Sequence, residues 1–156
     1  MEPQDIDKEA ITATVNEFGA RPEMLVQILQ AIVMRHGWVS EEAVRQLADE
    51  LNLSRADVHG VVSYYHDFRT EPPGKHIVKI CQAEACQSMG SRELTRHAVG
   101  SLGVDLHSTS DDVTLEPVYC LGNCACSPAV MIDGRTYGRV SNERFDELIG
   151  SLEADN

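Results

Sequence analysis

Four of the five cysteines fall into two pairs, Cys81-x4-Cys86 and Cys120-x3-Cys124, and each pair stands where a strand-like segment runs out into a loop containing Gly or Ser. Four thiolates on two segments that meet in space make a soft-metal site. The spacing favours iron-sulfur chemistry over zinc. Cys thiolates hold 2Fe-2S clusters in sets of four, and a four-residue gap occurs in plant-type ferredoxins, whereas structural zinc more often uses C-x2-C knuckles. Electron transfer is the chemistry such a centre points to.

Three other readings stand beside this one. Zinc held by the same four cysteines would be structural, since a borderline-soft ion accepts four thiolates readily. A thioredoxin-type dithiol catalyst needs C-x2-C at a strand-to-helix turn, and the chain has no such pair. Inert buried cysteines would be scattered, whereas these cluster at two strand ends. A Rieske centre would replace two cysteines with histidine. No C-x-H pair is present, and His36, His59, His66, His76, His97 and His107 are dispersed, as surface or hydrogen-bonded side chains usually are. The fifth cysteine, Cys126, precedes Ser127-Pro128 and is read as a small buried hydrophobe, with a slipped ligand or an oxidation-sensitive thiol as alternatives.

A chain of 156 residues makes one ordinary domain or two small lobes. A lobe of half that length buries little core, so a bound cluster or a partner would help to hold it. The net charge of −12, with no basic run, argues against nucleic acid or anionic lipid as the target. Met1-Glu2-Pro3-Gln4-Asp5 resembles neither a signal peptide nor an Arg-rich transit sequence. The longest apolar stretch, Met24 to Met34, is interrupted by Gln27 and Gln30 and is too short for a bilayer, so no direct membrane insertion is expected. A cytoplasmic protein with reduced thiols is the expectation, and an odd number of cysteines fits poorly with paired disulfides.

Residues 1–70 carry helical signals and are read as a helical lobe. A helix over Ile6 to Phe18 stops at Gly19; Pro22 suits the first turn of the next, which runs through Leu25, Ile28, Leu29 and Ile32 to Gly37. Ser40 and Ser54 cap two more, the second with Asp57 three residues on as a capping box. Short connections predict an antiparallel bundle. Glu71-Pro72-Pro73-Gly74 cannot continue a helix and marks the boundary. Residues 75–152 then read as a small α/β lobe with four strands, over His76–Cys81, Val113–Cys120, Pro128–Ile132 and Arg135–Val140. A helix spans Ser91–Leu102, Asp133-Gly134 turns a hairpin, and Ser141 caps a final helix. The fold class is thus α+β. Tyr64-Tyr65-His66-Asp67-Phe68 is read as lobe-to-lobe packing and Asp111-Asp112 as solvated loop charge.

The words around the cysteines are more specific than their spacing. Pro72-Pro73-Gly74-Lys75-His76, the segment Ala85-Cys86-Gln87-Ser88-Met89-Gly90-Ser91, and Cys120-Leu121-Gly122-Asn123-Cys124 followed by Ser127-Pro128-Ala129-Val130 resemble the thioredoxin-like 2Fe-2S subunits of NADH-linked oxidoreductases. Upstream, Val58-His59-Gly60-Val61-Val62-Ser63-Tyr64-Tyr65 is similar to that family's V-x-G-V-x-[ST]-[FY]-Y word, so about residues 20–150 are covered. The resemblance implies a helical N-terminal bundle followed by a thioredoxin-like 2Fe-2S domain. It also implies one 2Fe-2S cluster on Cys81, Cys86, Cys120 and Cys124, and no catalytic residue in this chain. By the same resemblance the chain is an electron-transfer subunit that exchanges one electron with the FMN of a flavoprotein partner, which also binds NAD. No G-x-G-x-x-G cradle for a dinucleotide occurs here.

Within the family, Tyr65-His66-Asp67-Phe68 and Ala83-Glu84-Ala85-Cys86-Gln87-Ser88 look most like the gamma subunit of soluble NAD-dependent formate dehydrogenase. That would add a larger molybdenum formate oxidoreductase subunit as partner. The equivalent subunits of respiratory complex I and of NAD-reducing hydrogenases are the alternatives, and a zinc-stabilised adaptor is the alternative from another class.

Overall fold

The structure, a computed structural model, describes residues 6–154; the leader-sequence reading of Met1–Asp5 lies outside the described residues. The chain divides into two compact units, Met1–Pro72 and Pro73–Asn156.

The first unit holds four α-helices: α1 (Lys8–Glu17), α2 (Leu25–His36), α3 (Glu41–Leu51) and α4 (Arg55–Tyr64). Each begins where local chemistry dictates. Asp7 accepts from the Glu9 amide at 3.1 Å, Ser40 from Ala43, and Pro22 opens a 3-10 turn leading into α2. Ser54 and Asp57 close a reciprocal capping box at α4. Helix α1 packs on α2 and α3, and α4 packs on the same two. Ile11, Ile28, Leu29, Ile32, Leu47 and Val58 are completely buried between them. The expectation of little core therefore fails for this unit. Four short amphipathic helices each bury one stripe, and the stripes merge into a single contiguous cluster. Phe68 joins that cluster, while Tyr64 is 75 % exposed and stacks edge-on against Tyr65 at 5.0 Å.

The second unit is a five-stranded sheet in the order β2-β3-β1-β4-β5, built from β1 (His76–Cys81), β2 (Ser108–Thr109), β3 (Val113–Val118), β4 (Val130–Ile132) and β5 (Arg135–Tyr137). Strands β1 and β3 are parallel in register His76↔Val113 to Cys81↔Val118; the other pairings are antiparallel. Helices α5 (Glu84–Ser88), α6 (Ser91–Leu102) and α7 (Asn142–Ala154) complete the unit. Four strands were expected and five are found. Strand β2 is two hydroxyl residues long and has no alternation to read, and α5, at five residues, is too short to show a period. Strand β3 stops at Val118 rather than Cys120, and β5 at Tyr137 rather than Val140. Pro117 is accommodated because it lies past the end of the β2 pairing, where β3 is an edge. Asp133 and Gly134 adopt φ of 48° and 80°, the paired positive angles of a tight hairpin. Phe145, Ile80 and Leu115 centre this unit's own core. Among the described residues no helix is long and apolar enough to cross a membrane.

Candidate metal centre

Sheet topology gathers the cysteines. Strands β1 and β3 run parallel and finish side by side, so Cys81 and the Tyr119-Cys120 loop leave from the same end of the sheet. Strand β4 runs antiparallel to β1, and the Cys81 amide donates to the Ala129 carbonyl at 3.1 Å, which brings the Cys124–Pro128 segment to that end as well. Helix α5 follows β1 at once and carries Cys86, which packs with Cys81 and Ala129 in one buried cluster.

The four predicted ligands divide into an inner and an outer pair. Cys81 and Cys86 are buried, and Cys120 and Cys124 are exposed with their sulfurs 3.8 Å apart. Two thiolates at tetrahedral positions on one metal, with bonds of about 2.3 Å, stand about 3.8 Å apart. Among the described residues no group of three or more His, Cys, Asp or Glu side chains is arranged to hold a metal ion. The thiols form two pairs instead.

The sulfurs are met by hydrogen-bond donors. The Gly122 amide donates to Cys120 Sγ at 3.3 Å, and the amides of Ala83 and Leu121 face Cys81. Burial pushes the Cys81 thiol up, and its neighbour Cys86 reinforces this against those two amides. Burial would raise Cys86 too, but hydrogen bonds with the Ser127 hydroxyl, Cys81 and the Ala129 amide outweigh it and hold this thiol below its ordinary value. Hydrogen bonding to Cys120 and then the charge on that neighbour push Cys124 up, with smaller contributions from burial, Cys86 and Cys81. For Cys81 and Cys124, the two thiols pushed up, a neighbouring thiol is among the causes, as expected where thiols are held close together.

Gly90 and Gly122 hold positive φ angles of 98° and 72°, which explain the residue type at these two loop positions. Cys120 itself holds a φ of 124°, where an L residue is strained by about 1–3 kcal/mol, so its backbone is set by the loop and not by its own preference. Cys126 is half-buried rather than buried. Its carbonyl accepts the Arg139 amide at 2.6 Å and its Cβ faces Gly138, so the turn Cys124–Cys126 is pinned to the end of β5. Sequence reasoning passed over Ser127, whose buried hydroxyl lies 3.4 Å from Cys86 Sγ. No periodicity or spacing marks a lone serine as a neighbour of sulfur 41 residues away.

The chain belongs to the thioredoxin-like [2Fe-2S] ferredoxin family, whose sequence profile matches residues 11–153. Among its relatives, an NADH-quinone oxidoreductase subunit of Pseudomonas aeruginosa is 32% identical over 126 residues, covering 80% of this chain and 76% of that protein. The subunit of the same name from Escherichia coli is 28% identical over 145 residues, covering 92% and 87%. An air-oxidised NAD+-reducing [NiFe]-hydrogenase superposes with a TM-score of 0.70 at 23% identity; the match covers 81% of this chain but only 23% of the hydrogenase chain, and is a likeness of fold.

Proposed function

We propose that the chain is the electron-transfer iron-sulfur subunit of a multi-subunit NADH-linked oxidoreductase, with Cys81, Cys86, Cys120 and Cys124 holding one 2Fe-2S cluster. The observation that carries this reading is the convergence of two cysteine pairs at one end of the sheet, inner pair buried and outer pair exposed, inside a chain of this family. The Gly122 amide at Cys120 Sγ suits a thiolate that stays charged, as a cluster ligand does. When bound, the cluster supplies a site that takes up and releases single electrons.

The protein's part is to hold, shield and expose. Cys81 and Cys86 would hold the group from within the fold, and Cys120 and Cys124, both exposed, would hold it from the side open to a partner. Tyr119 and Met89 are 75 % and 61 % exposed on loops beside these cysteines, an apolar rim on an acidic chain that suits a docking surface. The partner inferred is a flavoprotein carrying FMN and NAD, because NADH delivers hydride and a flavin must divide it into single electrons.

The finer assignment is to soluble NAD-dependent formate dehydrogenase as its gamma subunit. It rests on Tyr65-His66-Asp67-Phe68 and Ala83–Ser88. The names of the Pseudomonas and Escherichia relatives favour the complex I type as the second reading.

Anaerobically purified protein is expected to be reddish-brown, with about two irons and two labile sulfides per chain. Changing any one of the four cysteines to serine should bleach or shift its spectrum. Zinc at full occupancy without labile sulfide would overturn the proposal. The isolated subunit should be reduced rapidly by NADH only after the flavoprotein is added. The natively purified complex separates the finer readings: molybdenum with formate-dependent NAD reduction supports the formate dehydrogenase type, and NADH-quinone reductase activity supports the other.

A further inference from the structure

Ser127 is one of the few buried polar side chains in the second unit, and it stands between the two cysteine pairs. Its Oγ lies 3.4 Å from Cys86 Sγ and donates to the Cys124 carbonyl at 2.8 Å. With the thiol protonated the relay is complete: Cys86 S–H donates to the Ser127 oxygen, and the Ser127 O–H donates onward.

Metal binding removes the Cys86 proton and reverses this arrangement. The sulfur becomes an acceptor only, so at 3.4 Å it would face the lone pairs of Ser127 unless the hydroxyl turned towards it. A hydroxyl has one hydrogen, and the choice is between a neutral carbonyl and a charged thiolate. Charge-assisted bonds are roughly twice as strong as neutral ones, and at 8% exposure water competes little for the donor. The thiolate therefore takes the hydrogen.

Resting on the ligand assignment above, we propose that Ser127 is a positioning residue that raises the cluster's reduction potential by donating its hydroxyl hydrogen to the Cys86 thiolate. The step concerned is the transfer of one electron, from a reduced flavin or from dithionite in the assay. No bond is made or broken, and the proton stays on the Ser127 oxygen. The added electron increases negative charge on the sulfurs, so the donor stabilises the reduced form more than the oxidised one.

The test is a redox titration of the full chain, monitored by EPR, in Ser127→Ala and Ser127→Thr. At a fixed applied potential the alanine variant is expected to show a reduced-to-oxidised ratio about three- to tenfold lower, tenfold being about 59 mV for one electron. Threonine, which keeps the hydroxyl, should restore it, and Ser127→Val, nearly isosteric with threonine, should not. A ratio within twofold of wild type in Ser127→Ala, with iron and sulfide content intact, overturns the inference but leaves the ligand assignment standing. An alanine variant that never loads the cluster also overturns it, since Ser127 would then serve assembly and not potential. Wild-type protein without labile sulfide would refute the reading beneath.

Discussion

Gly138→Ala should loosen the metal centre without touching a cysteine. An added Cβ would lie 2.7 Å from Cys126 Cβ, 2.7 Å from Asn123 Nδ2 and 2.8 Å from the Cys126 carbonyl oxygen. Carbon contacts are comfortable at about 3.5–4.0 Å, so something must move by about 0.8 Å or more. The Asn123 amide can swing aside. The Cys126 atoms cannot, because the Cys126 amide donates to the Asn123 carbonyl at 3.0 Å and its own carbonyl is held by Arg139 at 2.6 Å. The movement is passed to the turn that carries Cys124. Overpacking of this kind costs about 1–3 kcal/mol. If that strain is released when the cluster is lost, chelator-driven bleaching accelerates about fivefold to 160-fold, at about 1.36 kcal/mol per factor of ten. Gly150→Ala is the control: nothing lies within 4 Å of its Cβ, it sits inside α7, and it should stabilise by about 0.5–1 kcal/mol. Visible absorbance after chelator addition and thermal denaturation of the apoprotein read the two effects separately. Wild-type bleaching and wild-type stability in Gly138→Ala would refute the steric argument.

Two further outcomes are expected. Cys126→Ser should keep both the visible colour and the EPR signal of the reduced protein, since the structure gives Cys126 a place against Gly138 in the turn; loss of the cluster here, with retention in Cys124→Ser, would make Cys126 the fourth ligand. Asp57→Asn should destabilise the helical unit at neutral pH, because hydrogen bonds from the Ser54 hydroxyl and then the Ser54 amide hold the Asp57 carboxyl below its ordinary value. A lowered folded-state value gives stability that is complete above the unfolded value, about 3.9, and that disappears as pH falls through the folded one, so the gap from wild type should narrow in that range. Urea midpoints at several pH values, followed by far-UV circular dichroism, check this.

Three helix starts were legible because they depend on neighbours in the chain: Ser40, Ser54 and Ser141 offer side-chain acceptors to amides three residues on, whereas α1 starts at Lys8 behind Asp7 and not at Ile6 as expected. Strand β1 and the hairpin at Asp133-Gly134 were legible for the same reason, as alternation and positive φ are local demands. The short β2 and α5 were not, since two hydroxyl residues become a strand only through their pairing with β3, and five residues carry no period. The four candidate ligands were visible as residue types at a spacing. Their division into a buried and an exposed pair was not, because burial depends on the parallel β1–β3 pairing and on the packing of Cys86 with Cys81 and Ala129.

What the sequence determined by itself is the thiol set and the propensity of each segment, both of which act over a few residues. Tertiary structure decided which thiols face solvent, and that Ser127 and Gly138 stand against the cysteine loops. Those relations join residues brought together only when the sheet forms, and no local preference encodes them.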